Sequence, residues 1–414
     1  MGRHVTAEPA TATQAELASR LAAVDIAFAE RASAPESDRT IEGAYPTIGA
    51  RAQGAFVWDA DGRRYIDLHL GYGPVILGHA DPTVTEAVHA EIRSGLALSL
   101  PSTTQVVLAE LICSVVPYAE RVLLLKTGSD ATSAAVRLAR AFTGRDKVVR
   151  WGYNGWHDWC CPRRAGIPES VDAETLGFTY NDAASLERTL AAHRGQVACV
   201  ILMPYELDPP MDGFLNKVAE LAHAHGALFI LDEVRSGFRL ARGGAQEYFG
   251  VRADLATFSK AIANGYPLSA VTGRADVLVH IRETHISSTF FADPISMAAA
   301  VATIGRLTPE RIAHIWDVGS ALQDGLARLG ERHGVPIRVR GLPPTPFVTF
   351  AHENVGLRER QKQAFFATLA IGGVLAYPSH HWFVCAAMTQ AEVDATLQAC
   401  DAALQAARAV ADSG

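Results

Sequence analysis

The sequence predicts an α/β protein: a large domain on a mostly parallel sheet with helices on both faces, and a smaller α+β domain at the C-terminal end. Three observations lead there. Strand-like and helix-like stretches alternate from about residue 120 to about 275, as βαβ units require. Ala227-Leu228-Phe229-Ile230-Leu231 is an unbroken apolar run of strand length, the pattern of a strand buried on both faces. From about residue 306 the rhythm changes to a helix ending near His333-Gly334, strands around Ile337–Val339 and Phe347–Phe350, and a closing helix from about Gln390. The expected organisation is residues 1–60 as an N-terminal segment packing with the small domain, 61–305 as the large domain and 306–414 as the small one.

Composition bounds the function. The chain has 414 residues, ample for two domains, with 49% hydrophobic and 20% charged residues, ordinary for a globular enzyme. A net charge of −7 argues against a nucleic-acid partner. The six cysteines show no CxxC pair and no metal-ligand spacing, so they read as reduced thiols of a cytoplasmic protein, with no metal expected. No basic-then-apolar leader and no membrane-length apolar run is present, so neither secretion nor a membrane is expected.

In chain order, Leu17, Leu21, Val24 and Phe28 share one helical face and predict a docking helix, with a frayed end at residues 1–12. Alternation around Asp59-Ala60-Asp61-Gly62 predicts a hairpin. Tyr72-Gly73-Pro74 and Gly78-His79 then break the pattern, and helical periodicity resumes through Val84, Val88 and Ile92. The apolar run from Val122 to Leu125 leads through Lys126-Thr127-Gly128-Ser129-Asp130 into a helix striped by Ala135, Leu138, Ala139 and Phe142. Ser129 is a natural N-cap, and Gly128 lets a ligand approach the backbone. Such a start either binds a phosphate or is plain capping, and Asp130 suits a phosphate only if its carboxylate points elsewhere. After the strand at 147–150, Tyr153 in YNGWHDW is an aromatic for the face of a flat cofactor, unless the cluster is loop packing.

The chemistry concentrates between Asp232 and Lys260. The run 227–231 ends in Asp232-Glu233, and Leu255-Ala256-Thr257-Phe258 ends in Ser259-Lys260. Both fall at carboxyl ends of strands, the edge where α/β sheets bind ligands. A free lysine near pKa ~10.4 is a poor nucleophile unless it is desolvated or already joined to a carbonyl. Taken singly, the acid reads as a loop or cap residue and the lysine as surface, but facing one crevice they suit a cofactor with an aldehyde and a cationic ring nitrogen, such as pyridoxal 5′-phosphate (PLP).

The stretches GSDATSAAVRLARAFTGRDKVV, YNGWHDW, DEVRSGFR, DLATFSKAIANGYPLSAVTGR and SSTFFADPISMAAA resemble, in order and spacing, the class III aminotransferases of PLP fold type I. The resemblance runs from about residue 40 to about 405. It is nearest the glutamate-1-semialdehyde aminomutase branch, and within it the relatives that aminate sugars, aminocyclitols and 6′-oxo-aminoglycosides.

The resemblance implies that Lys260 joins the cofactor and later moves the substrate proton. It likewise implies that Asp232 pairs with the ring nitrogen and that Val234 presses on the ring face opposite Tyr153. Gly128, Ser129 and their neighbours, Asp130 included, hold the phosphate. Thr289 reaches the phosphate of a second subunit, which implies a homodimer with shared sites. Ser288-Thr289 before the helical run Ala298-Ala299-Ala300 also reads as an anion-friendly helix start. Tyr72, Trp156, His157, Arg235 and His381 are candidates for the substrate side. Arg235 either faces the cofactor or a substrate carboxylate, or turns outward. His380 and His381, after the turn Pro378-Ser379, either line that side or pack.

Two departures from the family pattern matter. Met203-Pro204 stands where Glu-Pro is frequent, and EGAYPTIGARAQG is shorter than the aminomutase segment and lacks its arginine-bearing loop for the substrate carboxylate. The expected reaction is ping-pong transfer from glutamate or glutamine to a carbonyl of a sugar, aminocyclitol or aminoglycoside in antibiotic biosynthesis. The same residues permit an aminomutase, an epimerase or a PLP-binding pseudoenzyme.

Overall fold

The computed structural model describes residues 12–28, 41, 43–96, 98–211 and 213–412. Among them the strands are β1 (Gly49–Gln53), β2 (Phe56–Asp59), β3 (Arg64–Asp67), β4 (Arg121–Leu125), β5 (Lys147–Trp151), β6 (Thr175–Gly177), β7 (Val197–Leu202), β8 (Leu228–Asp232), β9 (Leu255–Phe258), β10 (Ser269–Gly273), β11 (Ile337–Arg340), β12 (Phe347–Phe350) and β13 (Val374–Leu375). The chain divides into two compact units. One holds Gly71–Leu77 and Asp81–Trp316, and the other the described residues up to Leu70, Gly78–Ala80 and those from Asp317 onward.

The first of these units is built on a seven-stranded sheet in the order β4-β10-β9-β8-β7-β5-β6. Every residue of β7, β8 and β9 is buried, which explains their unbroken apolar text. β10 is antiparallel to both β4 and β9, so β4 runs the same way as the parallel strands β5 to β9. The consequence decides the site: β4, β5, β7, β8 and β9 all release the chain at one edge. The helix Gly128–Thr143 packs Ala131, Ala135, Leu138 and Ala139 against Ile201, Ile230 and Val271. Its small residues let the helix lie close to the strands, and Gly144 ends it in the left-handed region.

In the other unit β1, β2 and β3 form a meander that β13 extends in parallel with β3. The β2–β3 turn is set by Asp59, whose carboxylate accepts from Asp61 N at 3.1 Å and Arg63 N at 2.8 Å. β11 and β12 pair as a hairpin, and the helices Val355–Ile371 and Gln390–Asp412 pack on each other.

The N-terminal helix corrects an expectation. It spans Gln14–Ala22, starts in a Thr13/Glu16 capping box and has no buried residue, while Val24 beyond it is 83% exposed. It docks through polar groups: Gln14 gives its N–H and side-chain amide to Asp61 at 3.0 and 2.9 Å and accepts from Thr47 N at 2.8 Å. The frayed end expected at residues 1–12 lies, but for residue 12, outside the described residues. None of the six cysteines forms a disulfide. Among the described residues no helix is long and apolar enough to cross a membrane.

Candidate active site

β8 ends on Asp232, which is buried. Its neighbour across the ladder is Thr257 of β9, whose hydroxyl donates to it at 3.3 Å. Asn154 Nδ2 donates at 2.7 Å and Val234 N at 3.1 Å. Burial pushes the Asp232 carboxyl above the usual carboxylate range, against the pull of Asn154, the Val234 N–H, the Lys260 charge and Thr257. A carboxylate so placed is stabilised by a cation bearing a proton for it to accept.

β9 ends at Phe258, and Ser259 fixes the exit by donating to the Leu268 carbonyl at 2.9 Å. Lys260 follows with φ 47, a left-handed backbone that is uncommon for any residue with a side chain. Burial brings its pKa down to about 8, with Arg235 and Arg239 also repelling the proton and Asp232 and Glu206 favouring it. At pH 7 roughly a tenth of such amines are neutral, against less than about a thousandth for a free lysine.

The loops after β4, β5 and β8 interlock. A Cβ on Gly128 would stand 2.8 Å from Val234 Cγ1, so only glycine lets these two segments close. A Cβ on Gly155, itself at φ +122, would stand 2.6 Å from Ser129 Oγ. Thr127, not Ser129, caps the helix: its hydroxyl accepts from Asp130 N at 3.1 Å, and the Asp130 carboxylate accepts from Thr127 N at 2.8 Å. That capping box engages the carboxylate of Asp130 with the backbone. Ser129 is left to accept from Trp156 N at 3.3 Å. The early N–H groups of this helix remain the natural anion donors of the edge.

The loop after β5 is pinned at several points. Thr132 Oγ1 donates to Asn154 O at 2.6 Å, and Ser133 Oγ meets His157 Nδ1 at 2.7 Å while accepting from Trp159 Nε1 at 2.8 Å. Yet Tyr153 is 59% and Trp156 68% exposed. Arg235 is turned inward and is only 9% exposed, so its outward alternative is excluded. Its guanidinium donates to the Tyr205 carbonyl, meets Glu206 Oε1 at 3.3 Å and lies 4.8 Å from the Tyr205 ring centroid. Tyr72 is half-buried in a left-handed turn of the same unit.

Gly128, Ser129, Asp130, Tyr153, Trp156, His157, Asp232, Val234, Arg235 and Lys260 thus share one sheet edge. Thr289 does not belong to a helix start. The helix Pro294–Arg306 is capped by Asp293, whose carboxylate accepts from Ile295 N and Ser296 N and binds Lys126 Nζ at 2.8 Å. An acid in that place makes the start unsuited to an anion, and Thr289 lies exposed in the preceding loop. His381 belongs to the other unit, buried with its Nδ1 3.1 Å from Thr345 O. Sequence reasoning missed Asn154, Thr257, Tyr205 and Glu206. Only Asn154 carried a signal, as an amide beside the exposed aromatic of a strand-end loop.

These residues fit PLP. A buried acid is arranged by three donors, an amine of lowered proton affinity follows the next strand, and Gly128 and Val234 close on each other beside a helix start. Fold and site together define a PLP-dependent enzyme of fold type I. The Aminotransferase class-III family profile matches residues 40–159 and 169–404. A 3-aminobutyryl-CoA aminotransferase of Cloacimonas acidaminovorans (strain Evry) is 36% identical over 368 residues, 87% of this chain and 89% of that one. A glutamate-1-semialdehyde 2,1-aminomutase of Sorangium cellulosum (strain So ce56) is 37% identical over 394 residues, 88% and 90% of the two chains. The FumI protein of Sphingopyxis sp. MTA144, solved in its PLP internal aldimine form, superposes with a TM-score of 0.89 at 34% identity over 95% of this chain and 96% of that one. The chain belongs to the class III PLP-dependent aminotransferases, in kinship with the glutamate-1-semialdehyde aminomutase branch.

Proposed function

We propose that the protein moves an amino group from glutamate or glutamine to a carbonyl of a sugar, aminocyclitol or aminoglycoside intermediate in antibiotic biosynthesis. It does so as a cytoplasmic homodimer with shared sites. The observation that carries the reading of the chemistry is the pair at the sheet edge: Asp232 buried under Asn154 at 2.7 Å, and Lys260 with its pKa brought down to about 8. Bound PLP supplies an aldehyde for the amine and a ring that accepts electrons from the substrate carbon. Asp232 holds the proton of the ring nitrogen, and Asn154 and Thr257 fix its carboxylate. Lys260, the attachment point, takes the proton from the nitrogen-bearing substrate carbon and returns it. Val234 and Tyr153 would hold the ring, and the Gly128 and Ser129 amides, with Thr289 of a second subunit, would hold the phosphate. Tyr72, His157 and Arg235 face substrate.

The acceptor class is supported by the resemblance of the strand-end segments and by the absence from residues 42–54 of the aminomutase arginine-bearing loop. A second reading, amino transfer at a β-carbon of an acyl thioester or an internal aminomutase shift, is favoured by the 36% and 37% identities to proteins so named. Incubating the amine-loaded enzyme with sugar aldehydes, oxo-cyclitols, acetoacetyl-CoA and glutamate-1-semialdehyde, followed by mass spectrometry, separates them. Amination of the thioester or semialdehyde alone would overturn the proposal, and a cofactor absorbance that no amino donor bleaches would indicate a mere binder.

The electrostatics give a further expected outcome. Capture of PLP by the apoenzyme rises with pH through about 8, because only the neutral amine attacks the aldehyde. Removing the Arg235 charge favours the ammonium, so Arg235→Gln moves that midpoint upward. Stopped-flow absorbance over a pH series measures both, and a midpoint that stays put or falls contradicts the assignment.

A further inference from the structure

We propose that Trp156 is a stacking platform for the ring of the amino-accepting sugar or cyclitol, a subsite that rests on the acceptor class inferred above. A tryptophan carries about 150–250 Å² of surface, so leaving it in water forfeits a large burial term. Here the indole is 68% exposed although the backbone around it is hydrogen-bonded to the helix Gly128–Thr143 at Asn154 and at Trp156 itself. Trp156 N donates to Ser129 Oγ at 3.3 Å, and Gly155 before it takes a φ of +122 against the same serine. His157 after it is tied to Ser133 at 2.7 Å and meets the indole at 5.0 Å with the rings 77° apart. The indole is therefore displayed by a fixed frame, and little ordering entropy is lost when a ligand lies on it.

Its position selects the ligand. The frame joins the Trp156 backbone through Ser129 to Gly128, which closes on Val234, and through Asn154 to Asp232, so the loop that carries the indole lies at the same sheet edge as the reacting pair. A six-membered sugar or cyclitol ring presents C–H bonds on its faces and hydroxyls at its rim, and the C–H face is what an indole receives. Asp158, exposed two residues further on, adds a carboxylate for an amino substituent, and a protonated amine over the indole gains a cation–π contact as well.

The test uses the PLP-loaded enzyme with neamine and with glutamate as alternative amine donors, following the cofactor absorbance. Trp156→Ala raises the ratio of the neamine KM to the glutamate KM about tenfold, and Trp156→Phe restores part of it. Independently of turnover, neamine quenches the fluorescence that wild type has and Trp156→Phe lacks, saturably and at a similar concentration. A Trp156→Ala enzyme that handles neamine as wild type does sinks the platform alone. Weakened self-association of Trp156→Ala in sedimentation, with neamine binding intact, makes the indole an inter-copy contact instead. If glutamate reacts with wild type while neamine neither reacts nor quenches, the acceptor class fails and the platform falls with it.

Discussion

Replacing Lys260 with alanine is expected to reduce the donor half-reaction about 10⁴-fold, the upper end of what a positioned proton carrier contributes. The variant should also lose the visible absorbance of the PLP-loaded wild type, since no amine remains at the end of β9 to join the aldehyde. Lys260 sits at φ 47 at the start of a single 3-10 turn, Lys260–Ala263, flanked by fully buried Ala261, Ile262 and Ala263. Alanine keeps this backbone, so the fold should survive and the loss reports chemistry. Added methylamine should then restore part of the rate with a pH dependence set by its own pKa. A Lys260→Ala protein retaining more than about a tenth of the wild-type rate would remove the residue from the mechanism.

The second large effect belongs to Asp232. Asp232→Asn keeps the shape but cannot hold a proton on the ring nitrogen, and kcat is expected to fall about 10²- to 10³-fold. Stability should move the other way in the apoprotein. Burial raises the Asp232 pKa above its unfolded value, so its ionisation costs nothing at low pH. The native state then loses stability as pH rises past the ordinary carboxylate range toward the raised value. The asparagine variant escapes that loss, and its melting temperature should exceed that of the wild-type apoprotein increasingly as pH rises above the ordinary carboxylate range. A variant of normal activity, or one equally destabilised at every pH, would place Asp232 in the framework and not in the chemistry.

Much of this was readable from the chain because buried parallel strands leave unmistakable text. The run ending in Asp232 and the run ending in Lys260 announce where the sheet lets go of the chain, and ligand chemistry gathers at such ends. The partner of Asp232 was not readable. Asn154 lies 78 positions away, and nothing local says that the loop after β5 comes back to the end of β8. Thr127 and Ser129 show a different limit. Both suit a cap, and only the reciprocal bonds with Asp130 decide for Thr127. The N-terminal helix shows a third limit, for it docks through polar groups and not through its apolar face. Its apolar spacing suggested a buried face, but the helix is short and Gln14 found Asp61.

The sequence by itself determined the α/β class, the buried strands that end at Asp232 and before Lys260, and the residues that can react, because these follow from local hydrophobic period and side-chain chemistry. Only the tertiary structure decided which groups tune them: Asn154 and Thr257 on Asp232, Arg235 turned in upon Tyr205 and Glu206, and Asp293 taking the helix start that Thr289 had been expected to hold. Hydrogen bonds and charges act over a few ångströms of space without regard to distance along the chain, so their partners are fixed only when the strands have been set side by side.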